Sequence, residues 1–387
     1  MKCLFVFLMT IFSFNSLFSQ WQQLPCNGNI NSIVINGNKI FAGNGTSGIW
    51  LSQDNGLTWT PKNNGLPVLD VHSLAIDGNN LFAGTVLGVY LSQNNGDSWT
   101  SAGAYGGNIT SIAIMGDRIY IGTYLSGIFM SQNNGGNWTQ INNGLNTEEI
   151  GSLLVADSNI YAGTLLGVFF SQDFGNHWTH LDNGIPHISV NSFLRNGIDI
   201  YAGTYYGGSI YKTVDNGTSW TVNNNGLPNN EDVYSFTDNN SGIFAGAGSG
   251  VYFSKDSGNL WNPINNGLPS HPNVLSLAIN QSYLFAGTDL GVWRFPLSEL
   301  GINDYKPTPN YSVYPNPADD YIIISTATTF LSVPSVTIYN LEGNQLMKVK
   351  LGNQNENKIL LTCLSKGMYF LRIQNGDHFI NKEIILK

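Results

Sequence analysis

Short apolar stretches recur along most of the chain, separated by polar segments rich in Gly, Asn and Ser. Each stretch has the length of a β-strand and alternates apolar with polar residues, which is typical of a half-buried strand. Four stretches, called strands A to D, make one repeat of about 40 residues, and a period of this size indicates a repeat architecture.

The polar segment between strands C and D is the clearest mark of the repeat. It reads Ser/Thr-x-Asp/Asn-x-Gly-x-x-Trp, and we call it the box. Six boxes occupy residues 52–59, 92–99, 131–138, 171–178, 213–220 and 254–261.

The chemistry of the box is that of a tight hairpin. The Asp or Asn oxygen is expected to accept backbone N–H groups two residues on, the Gly to take a positive φ, and the Trp to return over the turn. The Asp/Asn position holds Asp54, Asn94, Asn133, Asp173, Asp215 and Asp256. Because Asn keeps the acceptor and loses the charge, this position is predicted to be structural, without a metal-binding or catalytic role.

Strands A and B repeat in phase with the boxes, but seven times. Each strand A carries a Ser, and each strand B carries an aromatic-x-Gly sequence. The serines are Ser32, Ser73, Ser111, Ser152, Ser192, Ser235 and Ser276, and the glycines are Gly43, Gly84, Gly122, Gly163, Gly203, Gly246 and Gly287. Seven repeats are therefore predicted.

The seventh repeat ends after its strand C, at residues 291–295, with neither a box nor a strand D. A matching strand lies at the other end, where Trp21 to Leu24 keep the spacing of the box Trp. If this strand completes the last sheet, the ring closes and its sheet edges are covered. The rival fold, an open solenoid, needs polar capping repeats, and neither end of the array has one.

These patterns predict an all-β protein: a seven-bladed β-propeller closed by an N-terminal strand, followed by a small antiparallel β-sandwich. The box resembles the Asp-box, or BNR repeat, of sialidases, sortilin-type receptors, xyloglucan hydrolases and photosystem II assembly-factor propellers. In such proteins the box lies away from the active face. The resemblance therefore implies propeller blades and no particular chemistry.

The chain loses the repeat after Leu297, and Pro307 and Pro309 indicate a short stiff linker. Beyond it, apolar strands separated by Gly-containing turns predict the sandwich. Its motifs are Tyr314-Pro315-Asn316-Pro317, a central Val-x-Ile-Tyr-Asn-x-x-Gly that ends at Gly343, and Lys-Gly367-Met-Tyr369. Their order resembles the type A sorting domain of type IX secretion in Bacteroidetes, which implies export by that machinery and often attachment to a surface glycolipid. The alternative is an ordinary sugar-binding or fibronectin-like module.

Residues 1–20 combine Lys2 with an apolar run from Leu4 to Phe12 and a polar end, which is typical of a secretory signal peptide. We predict four parts: signal peptide 1–20, propeller 21–297, linker 298–309 and sorting domain 310–387, with no transmembrane segment in the mature chain. The protein is expected to be secreted or attached to the outer cell surface. Cys26 and Cys363 fall in different domains, so no disulfide framework is expected.

Composition narrows the function classes. Of 387 residues, 11% are charged and 44 are Gly, which suits short strands and turns. The net charge of -9 and the pI near 5.0 argue against a surface that binds nucleic acid or an anionic membrane.

The connections divide between two rims of the predicted ring. The D-to-A connections, with a recurring Asn-Asn-Gly-Leu-Pro, share one rim with the B-to-C loops, and the boxes and A-to-B turns share the other. Binding is expected on the first rim, because its loops vary while the framework stays fixed. That rim carries the acids Asp70, Glu148, Glu149, Glu231, Asp232 and Asp289, the histidines His72, His187 and His271, and the tyrosines Tyr105, Tyr124, Tyr205, Tyr206 and Tyr234.

The ligand-binding candidates among these residues are Tyr124, Tyr205, Tyr206, Glu148, Glu231 and Asp289. Exposed tyrosines can stack on sugar rings or anchor a protein loop. The alternative for each is a solvated loop residue or a Tyr packed against the next blade. The histidines have no metal-ligand spacing, so neither a metal nor a cofactor is predicted.

Two enzyme classes share this kind of fold. A sialidase needs three convergent arginines, and Arg118, Arg195 and Arg294 are predicted to lie too far apart. A glycosidase needs two carboxylates about 5 to 10 Å apart, whereas Glu148-Glu149 and Glu231-Asp232 are sequence neighbours whose side chains tend to diverge. The leading hypothesis is therefore a binding or adhesion module for a glycan or protein ligand. The alternative is a polysaccharide-degrading glycoside hydrolase that uses rim carboxylates.

Overall fold

The computed structural model describes residues 20–103, 107–181, 183–300, 311–326, 334–340, 344–352, 356–375 and 378–387. It divides the chain into two compact units, residues 1–305 and 306–387. Tyr105, Gly343, residues 1–19 of the predicted signal peptide and the linker from residue 301 lie outside the described residues. The described elements are β-strands and one short 3₁₀ turn, Leu297–Leu300.

The first unit contains, within the described residues, seven four-stranded antiparallel sheets, which we number as blades. Blade one comprises β2 Ile30–Asn36, β3 Lys39–Asn44, β4 Gly48–Ser52 and β5 Thr60–Pro61; blade two β6 Val71–Asp77, β7 Asn80–Thr85, β8 Gly88–Ser92 and β9 Thr100–Ser101; blade three β10 Ile109–Met115, β11 Arg118–Thr123, β12 Ile128–Ser131 and β13 Thr139–Gln140. Blade four comprises β14 Ile150–Ala156, β15 Asn159–Thr164, β16 Gly167–Ser171 and β17 Thr179–Leu181; blade five β18 Val190–Asn196, β19 Asp199–Thr204, β20 Ile210–Thr213 and β21 Thr221–Val222; blade six β22 Val233–Asn239, β23 Gly242–Ala247, β24 Gly250–Ser254 and β25 Asn262–Pro263. Blade seven comprises β26 Val274–Ile279, β27 Tyr283–Thr288, β28 Gly291–Pro296 and, as its outer strand, β1 Gln22–Gln23.

The inner strands, strand A of each blade, pack beside one another in a ring from β2 to β26 and back to β2. In each blade one side chain donates a hydrogen bond to the carbonyl of the first residue of the next inner strand. The pairs are Asn31 Nδ2 to Val71 (2.9 Å), Ser73 Oγ to Ile109 (3.3 Å), Thr110 Oγ1 to Ile150 (2.6 Å), Ser152 Oγ to Val190 (3.2 Å), Ser192 Oγ to Val233 (3.2 Å), Ser235 Oγ to Val274 (3.3 Å) and Ser276 Oγ to Ile30 (3.3 Å). The last pair joins blade seven to blade one, and the predicted all-β propeller is confirmed.

The Gly of the aromatic-x-Gly sequence lets neighbouring blades approach closely. A Cβ added to Gly84 lies 2.2 Å from the Ser73 Oγ and 2.7 Å from a methyl group of Ile109 in the next blade. No side chain fits there without moving the joint between the blades. The repeat of Gly in strand B therefore follows from the packing of the blades.

The box Trp links each blade to the one before it, instead of covering its own turn as expected. The indole N–H donates to the carbonyl three residues beyond the preceding Trp. The pairs are Trp99 to Lys62 (2.7 Å), Trp138 to Ala102 (2.8 Å), Trp178 to Ile141 (2.6 Å), Trp261 to Asn223 (2.9 Å) and Trp21 to Ile264 (2.6 Å). Trp59 and Trp220 are the exceptions. Trp59 is half-buried and donates to the Gly56 C=O in its own box, and the buried Trp220 indole N–H has no hydrogen-bond partner among the described residues.

The N-terminal strand closes the ring. Gln22 pairs with Arg294 and Gln23 with Trp293, so β1 is the outer strand of blade seven. The Arg294 guanidinium also donates to the Gln22 Oε1 at 3.1 and 3.2 Å. The side chain of Trp21 is 2% exposed and packs on Phe295, with ring centroids 5.4 Å apart. The N-terminus therefore supplies the strand that the seventh repeat lacks.

The second unit is a sandwich of two antiparallel sheets. One contains β29 Tyr311–Tyr314, β30 Tyr321–Thr326 and β33 Glu356–Leu360, and the other contains β31 Ser335–Tyr339, β32 Gln345–Lys350, β34 Gly367–Asn375 and β35 His378–Leu386. Ile322 and Ile359 from the first sheet share one core with Ile338 and Leu371 from the second. Tyr314 ends the first strand, so the Tyr-Pro-Asn-Pro motif begins inside that strand.

Removing Trp21 to Leu24 is expected to lower the melting temperature markedly, because blade seven loses its outer strand. The single change Trp21→Ala is expected to cost about 3 to 5 kcal/mol of unfolding free energy, as for other buried Trp side chains. Circular dichroism with heat and with urea measures both effects. Gln23→Ala is the matched control, since this side chain is exposed in the same strand. A deletion variant that melts together with the intact protein contradicts closure by this strand.

Candidate functional site

The B-to-C loops and the ends of the D-to-A connections lie together on one rim, which we call the loop rim. Their backbones are bonded to one another: the Gly127 N–H donates to the Glu148 C=O at 2.8 Å, and the Gly248 N–H donates to the Asp232 C=O at 3.0 Å. The boxes and the A-to-B turns form the opposite rim, the box rim. The loop rim therefore presents its side chains on a fixed frame.

A β-bulge interrupts every inner strand near its loop-rim end. The bulged residues are Asn31, His72, Thr110, Gly151, Asn191, Tyr234 and Leu275. Bulges are frequent beside binding sites because they redirect a side chain. The sequence signal for this ring is the Val/Ile-x-Ser pattern of strand A, of which only the Ser entered the prediction.

Blades five to seven bring six of the predicted rim residues into one surface, which we call the acid–tyrosine patch: Tyr205, Tyr206, Glu231, Asp232, Tyr234 and Asp289. The Tyr205 ring centroid lies 4.0 Å from that of Tyr206 and 5.7 Å from that of Tyr234. Tyr206 has a φ of 62° and its side chain is 73% exposed. The three rings form a continuous aromatic surface that is open to solvent at one end.

Negative charge surrounds this aromatic surface. Burial, followed by the charges of Asp232, Tyr205, Glu231 and Asp289, raises the pKa of Tyr234 to about 12. One carboxylate oxygen of Asp232, Oδ1, is buried and has no hydrogen-bond partner among the described residues. The patch therefore combines apolar ring faces with a negative potential.

Glu231 holds a loop in place. Its side chain is buried, and its Oε1 accepts hydrogen bonds from the Ser249 N–H at 2.7 Å and the Ser249 Oγ at 2.8 Å. The Ser249 hydroxyl lies 2.7 Å from that of Tyr252. This carboxylate fixes the B-to-C loop of blade six, while Asp289 remains exposed and accepts from Asn273 at 3.0 Å.

Tyr124 and Glu148 belong to blade three and its following connection, not to the acid–tyrosine patch. Tyr124 is 46% exposed, and its N–H donates to the Asn108 C=O at 3.0 Å. Between blades one and two, the Asp70 Oδ1 lies 3.2 Å from the His72 Nε2. The predicted candidates thus lie in separate sectors of the rim. No group of His, Cys, Asp and Glu within the described residues has the arrangement of a metal site.

The Asn-Asn-Gly-Leu-Pro motif, which the sequence placed on the rim where binding is expected, forms a joint between blades. The Asn63 Oδ1 accepts the Ile49 N–H of its own blade at 2.7 Å, and the Asn64 C=O accepts the Trp99 N–H of the next blade at 2.8 Å. A Cβ added to Gly65 lies 2.2 Å from the Trp99 carbonyl oxygen. The free surface of the loop rim is therefore left to the B-to-C loops and the last residues of each connection.

The box makes the same backbone hydrogen bond with Asp as with Asn. The Asp54 Oδ1 accepts the Thr58 N–H at 2.9 Å, and the Asn94 Oδ1 accepts the Ser98 N–H at 3.0 Å. The acceptor thus binds the amide four residues on, not two as expected, because the Ser52 Oγ at the head of the box accepts the nearer N–H groups.

These hydrogen bonds lower the pKa of the box carboxylates. The hydroxyl and N–H of Thr58 lower the pKa of Asp54 to about 2. The side chain and N–H of His177 lower the pKa of Asp173 to about 2. The pKa values of the other two box acids, Asp215 and Asp256, are also lowered, by hydrogen bonds from their own boxes.

The three arginines of the propeller lie on the box rim in different blades. Arg118 stacks on the Phe ring of the blade-four box, Arg195 pairs with Asp157 at 2.6 Å, and Arg294 donates to the Asn55 C=O at 2.8 Å. Each guanidinium is engaged with its own neighbours. The arrangement does not form the three-arginine site of a sialidase.

In the second unit, the Tyr-Pro-Asn-Pro motif binds the last strand. The Asn316 Oδ1 accepts the Ile385 N–H at 2.9 Å. The Ala318 N–H donates to the Ile385 C=O at 2.7 Å, and the Ala318 C=O accepts the Lys387 N–H at 2.9 Å. Pro315 and Pro317 flank this contact. The motif therefore joins the start of the sandwich to its C-terminal strand.

The two motif tyrosines anchor other parts of the sandwich. The Tyr314 hydroxyl donates to the Glu356 Oε1 at 2.7 Å, and the Tyr369 hydroxyl donates to the Ser365 C=O at 2.7 Å. Gly367, at the start of β34, has a φ of 153°, which favours Gly. These motif residues thus hold the sandwich together.

Comparison with protein families identifies the second unit. Residues 312–387 match the family model of the secretion system C-terminal sorting domain. The chain therefore carries a sorting domain of type IX secretion and is a secreted or cell-surface protein. Among the residues the structure describes, no helix has the length and apolar character needed to cross a membrane.

Solved structures similar to this chain are β-propellers. They include the GH74 xyloglucanase from Xanthomonas campestris (13% identity, 80% of this chain and 60% of that one, TM-score 0.60), the extracellular domain of the hybrid two-component system BT4673 from B. thetaiotaomicron (16%, 94% and 52%, 0.62) and YCF48 from Cyanidioschyzon merolae (13%, 72% and 100%, 0.57). The chain spans 60% of the xyloglucanase and 52% of the BT4673 domain. At these identities the likeness shows the fold alone, and no curated protein matches the chain.

The box carboxylates predict an acid-sensitive contribution to stability. A carboxylate with a depressed folded pKa stabilises the fold above its unfolded pKa, about 4, and this stability is lost as the pH falls toward the folded pKa. For Asp54 and Asp173 the folded value is about 2, so the loss is expected between pH of about 4 and about 2. Urea unfolding across this range measures it.

The chain itself suggests the control, because Asn94 and Asn133 occupy the Asp/Asn position of their boxes without a titrating group. The double variant Asp54→Asn with Asp215→Asn is expected to keep its stability near neutral pH and to lose less between pH of about 4 and about 2. An acid profile equal to that of the unchanged protein contradicts this role of the box acids.

Proposed function

We propose that the protein is a binding or adhesion module that acts outside the cell, with the loop rim as its contact surface. The observation that carries the proposal is the aromatic surface of Tyr205, Tyr206 and Tyr234 beside the carboxylates of Asp232 and Asp289, of which Asp289 is exposed. These residues stand on loops that differ between blades, while the boxes of the opposite rim repeat. Variable loops on a rigid frame are the usual place for recognition.

The exposed rings supply the energy for such contacts. Tyr206 is 73% exposed, and its neighbour Tyr205 supports it from behind at a ring distance of 4.0 Å. A supported Tyr loses little side-chain freedom when a ligand covers it, and Tyr is enriched among the residues that dominate binding energy. The patch therefore has the composition of an anchor.

The ligand in this proposal is a glycan or an extracellular protein. A sugar ring offers an apolar face to a Tyr ring and hydroxyl groups to Asp232 and Asp289, while a protein offers side chains to the same groups. Propellers of similar fold include a xyloglucanase and YCF48, which was solved with a D1 peptide. Both ligand classes thus occur among proteins that share this fold.

The alternative, hydrolysis by rim carboxylates, has less support. Glu231 is buried and its Oε1 is occupied by two hydrogen bonds from Ser249, so it is poorly placed to exchange a proton with a substrate. An acid–base pair in the acid–tyrosine patch would then consist of Asp232 and Asp289.

The double change Tyr205→Ala with Tyr206→Ala is expected to weaken ligand capture by about 1 to 3 kcal/mol, because the anchor rings are lost. A glycan array and a pull-down from extracellular protein identify the ligand, and calorimetry with the full-length chain measures the change. Phe174→Ala is the matched control, since this ring is exposed on the box rim. Equal losses in both variants contradict the loop rim as the contact surface.

The same material distinguishes binding from hydrolysis. If the protein is a hydrolase, Asp232→Asn and Asp289→Asn are each expected to abolish turnover of the glycan but not its binding, because an acid–base group contributes mainly in the transition state. If the protein is a binding module, the unchanged protein is expected to release no product from any glycan that it binds on the array. Release of reducing sugar ends checks this.

Removing residues 312–387 is expected to leave a folded propeller in the periplasm of a host with type IX secretion, because the predicted signal peptide directs passage across the inner membrane only. Cell fractionation with immunoblotting measures its location. The converse experiment attaches residues 306–387 to a passenger protein, which is then expected at the surface or in the medium. A truncated propeller recovered from the medium contradicts the role of this segment in export.

A further inference from the structure

The positive charges of the propeller are confined to its box-rim side. Among the described residues of the first unit, the Lys and Arg side chains are Lys39, Lys62, Arg118, Arg195, Lys212, Lys255 and Arg294. Lys39 bonds the Asn95 of a box, Lys62 bonds the Asp97 of a box, and Lys212 pairs with Asp199 at an A-to-B turn. Lys255 lies within the sixth box, and the three arginines lie on the box rim as described above. All seven therefore belong to the framework side.

The loop rim has the opposite character. Its described acids are Asp70, Glu148, Glu149, Glu231, Asp232 and Asp289, and no Lys or Arg of the described residues stands among them. The raised pKa of Tyr234 is an independent sign of this negative potential, since three of these carboxylates contribute to it after burial. Like charges without counter-charges raise the free energy of the unbound rim, and a cationic partner lowers it.

Apolar side chains stand between these acids. The tips of the B-to-C loops in five blades carry large exposed apolar side chains, which we call the apolar collar: Leu87 (47% exposed), Leu125 (69%), Leu165 (39%), Tyr206 (73%) and Leu290 (50%). In blades two and seven a hydrogen bond fixes the turn, because the Leu87 and Leu290 N–H groups donate to Thr85 Oγ1 and Thr288 Oγ1. A ring of exposed Leu is typical of a protein-binding surface.

We propose that the loop rim binds a basic, apolar segment of another protein, whose Lys or Arg side chains pair with the rim carboxylates and whose apolar side chains cover the collar. This inference rests on the proposed binding function and specifies its partner. Neutral sugars would leave the six carboxylates without counter-charges. They also stack on aromatic rings, which the four leucines do not have. An anionic bilayer would be repelled.

The direct test uses fluorescent synthetic peptides with the full-length chain. An alternating Lys–Leu peptide is expected to bind, while a Glu–Leu peptide of equal length and a Lys–Ser peptide bind at least about tenfold more weakly. The affinity of the Lys–Leu peptide is expected to fall when salt is raised from about 50 mM to about 300 mM, because the pairing charges are exposed. Fluorescence anisotropy measures all three.

Matched variants locate the contact. Two double variants are each expected to lower the affinity for the Lys–Leu peptide by about tenfold: Glu148→Lys with Asp289→Lys, and Leu125→Ala with Leu290→Ala. Asp77→Lys and Leu57→Ala are the controls, since Asp77 is exposed beside an A-to-B turn and Leu57 is 57% exposed in a box. Equal effects of the control and rim variants overturn the inference, as does equal affinity for the Lys–Leu and Glu–Leu peptides.

Failure of this inference is distinguishable from failure of the proposed function. If capture of a glycan depends on Tyr205 and Tyr206 and the Lys–Leu peptide is not preferred, the proposed binding function is supported and the basic protein partner is contradicted. A chain that captures neither glycan nor peptide removes both. A peptide whose binding responds only to the box-rim variants places the contact on the opposite rim and also removes both.

Discussion

The inner strand of every blade is a sheet edge, and the structure depends on how those edges are satisfied. Each inner strand offers a carbonyl that its own sheet does not use, and the preceding blade supplies a side-chain donor, as when Ser276 bonds the Ile30 C=O at 3.3 Å. A buried polar group left without a partner costs about 1 to 3 kcal/mol. All seven carbonyls find a donor only when the ring of blades is closed. Pairing of β1 with blade seven, the close approach of blades at Gly84 and the indole bond of Trp21 all help to close it.

Closure also divides the molecule into a side that must repeat and a side that is free to differ. The box Trp side chains, basic side chains such as Lys39 and Arg195, and the Asn-Asn-Gly joints hold neighbouring blades together, so a change in one disturbs the next. The B-to-C loops bond the connections through backbone groups, as the Gly127 N–H bonds the Glu148 C=O, and these bonds do not depend on side-chain identity. Sequence differences can therefore accumulate on the loop rim, where the Tyr205 cluster and the exposed leucines stand, without loss of the ring.

The fold was predictable because its determinants repeat along the chain. The aromatic-x-Gly of strand B, the box, and Trp21, which keeps the spacing of the box Trp without a box, each mark one structural position. Contacts between repeats were not predictable from the pattern, since a Trp that covers its own turn and a Trp99 that bonds Lys62 of the previous blade have the same local sequence. The candidate site shows the same limit. Glu231 and Asp232 are neighbours of similar chemistry, and only the position of Ser249 in a distant loop buries one of them. The sorting motifs were recognisable because Asn316 and its neighbours keep a fixed order.

The closing strand also sets an order of events during synthesis. Trp21 bonds Ile264, a residue 243 positions later, and β1 pairs with β28 at Arg294. The first strand of the propeller to leave the ribosome is therefore the last to find its partners, and until then Trp21 and Leu24 on either side of it have no site in which to be buried. Contacts so distant in sequence slow folding and lengthen exposure to aggregation. The same separation allows two chains to exchange this strand, because β1 of a second copy fits the open edge of blade seven. At high concentration a strand-swapped dimer can therefore form before each ring is closed by its own strand.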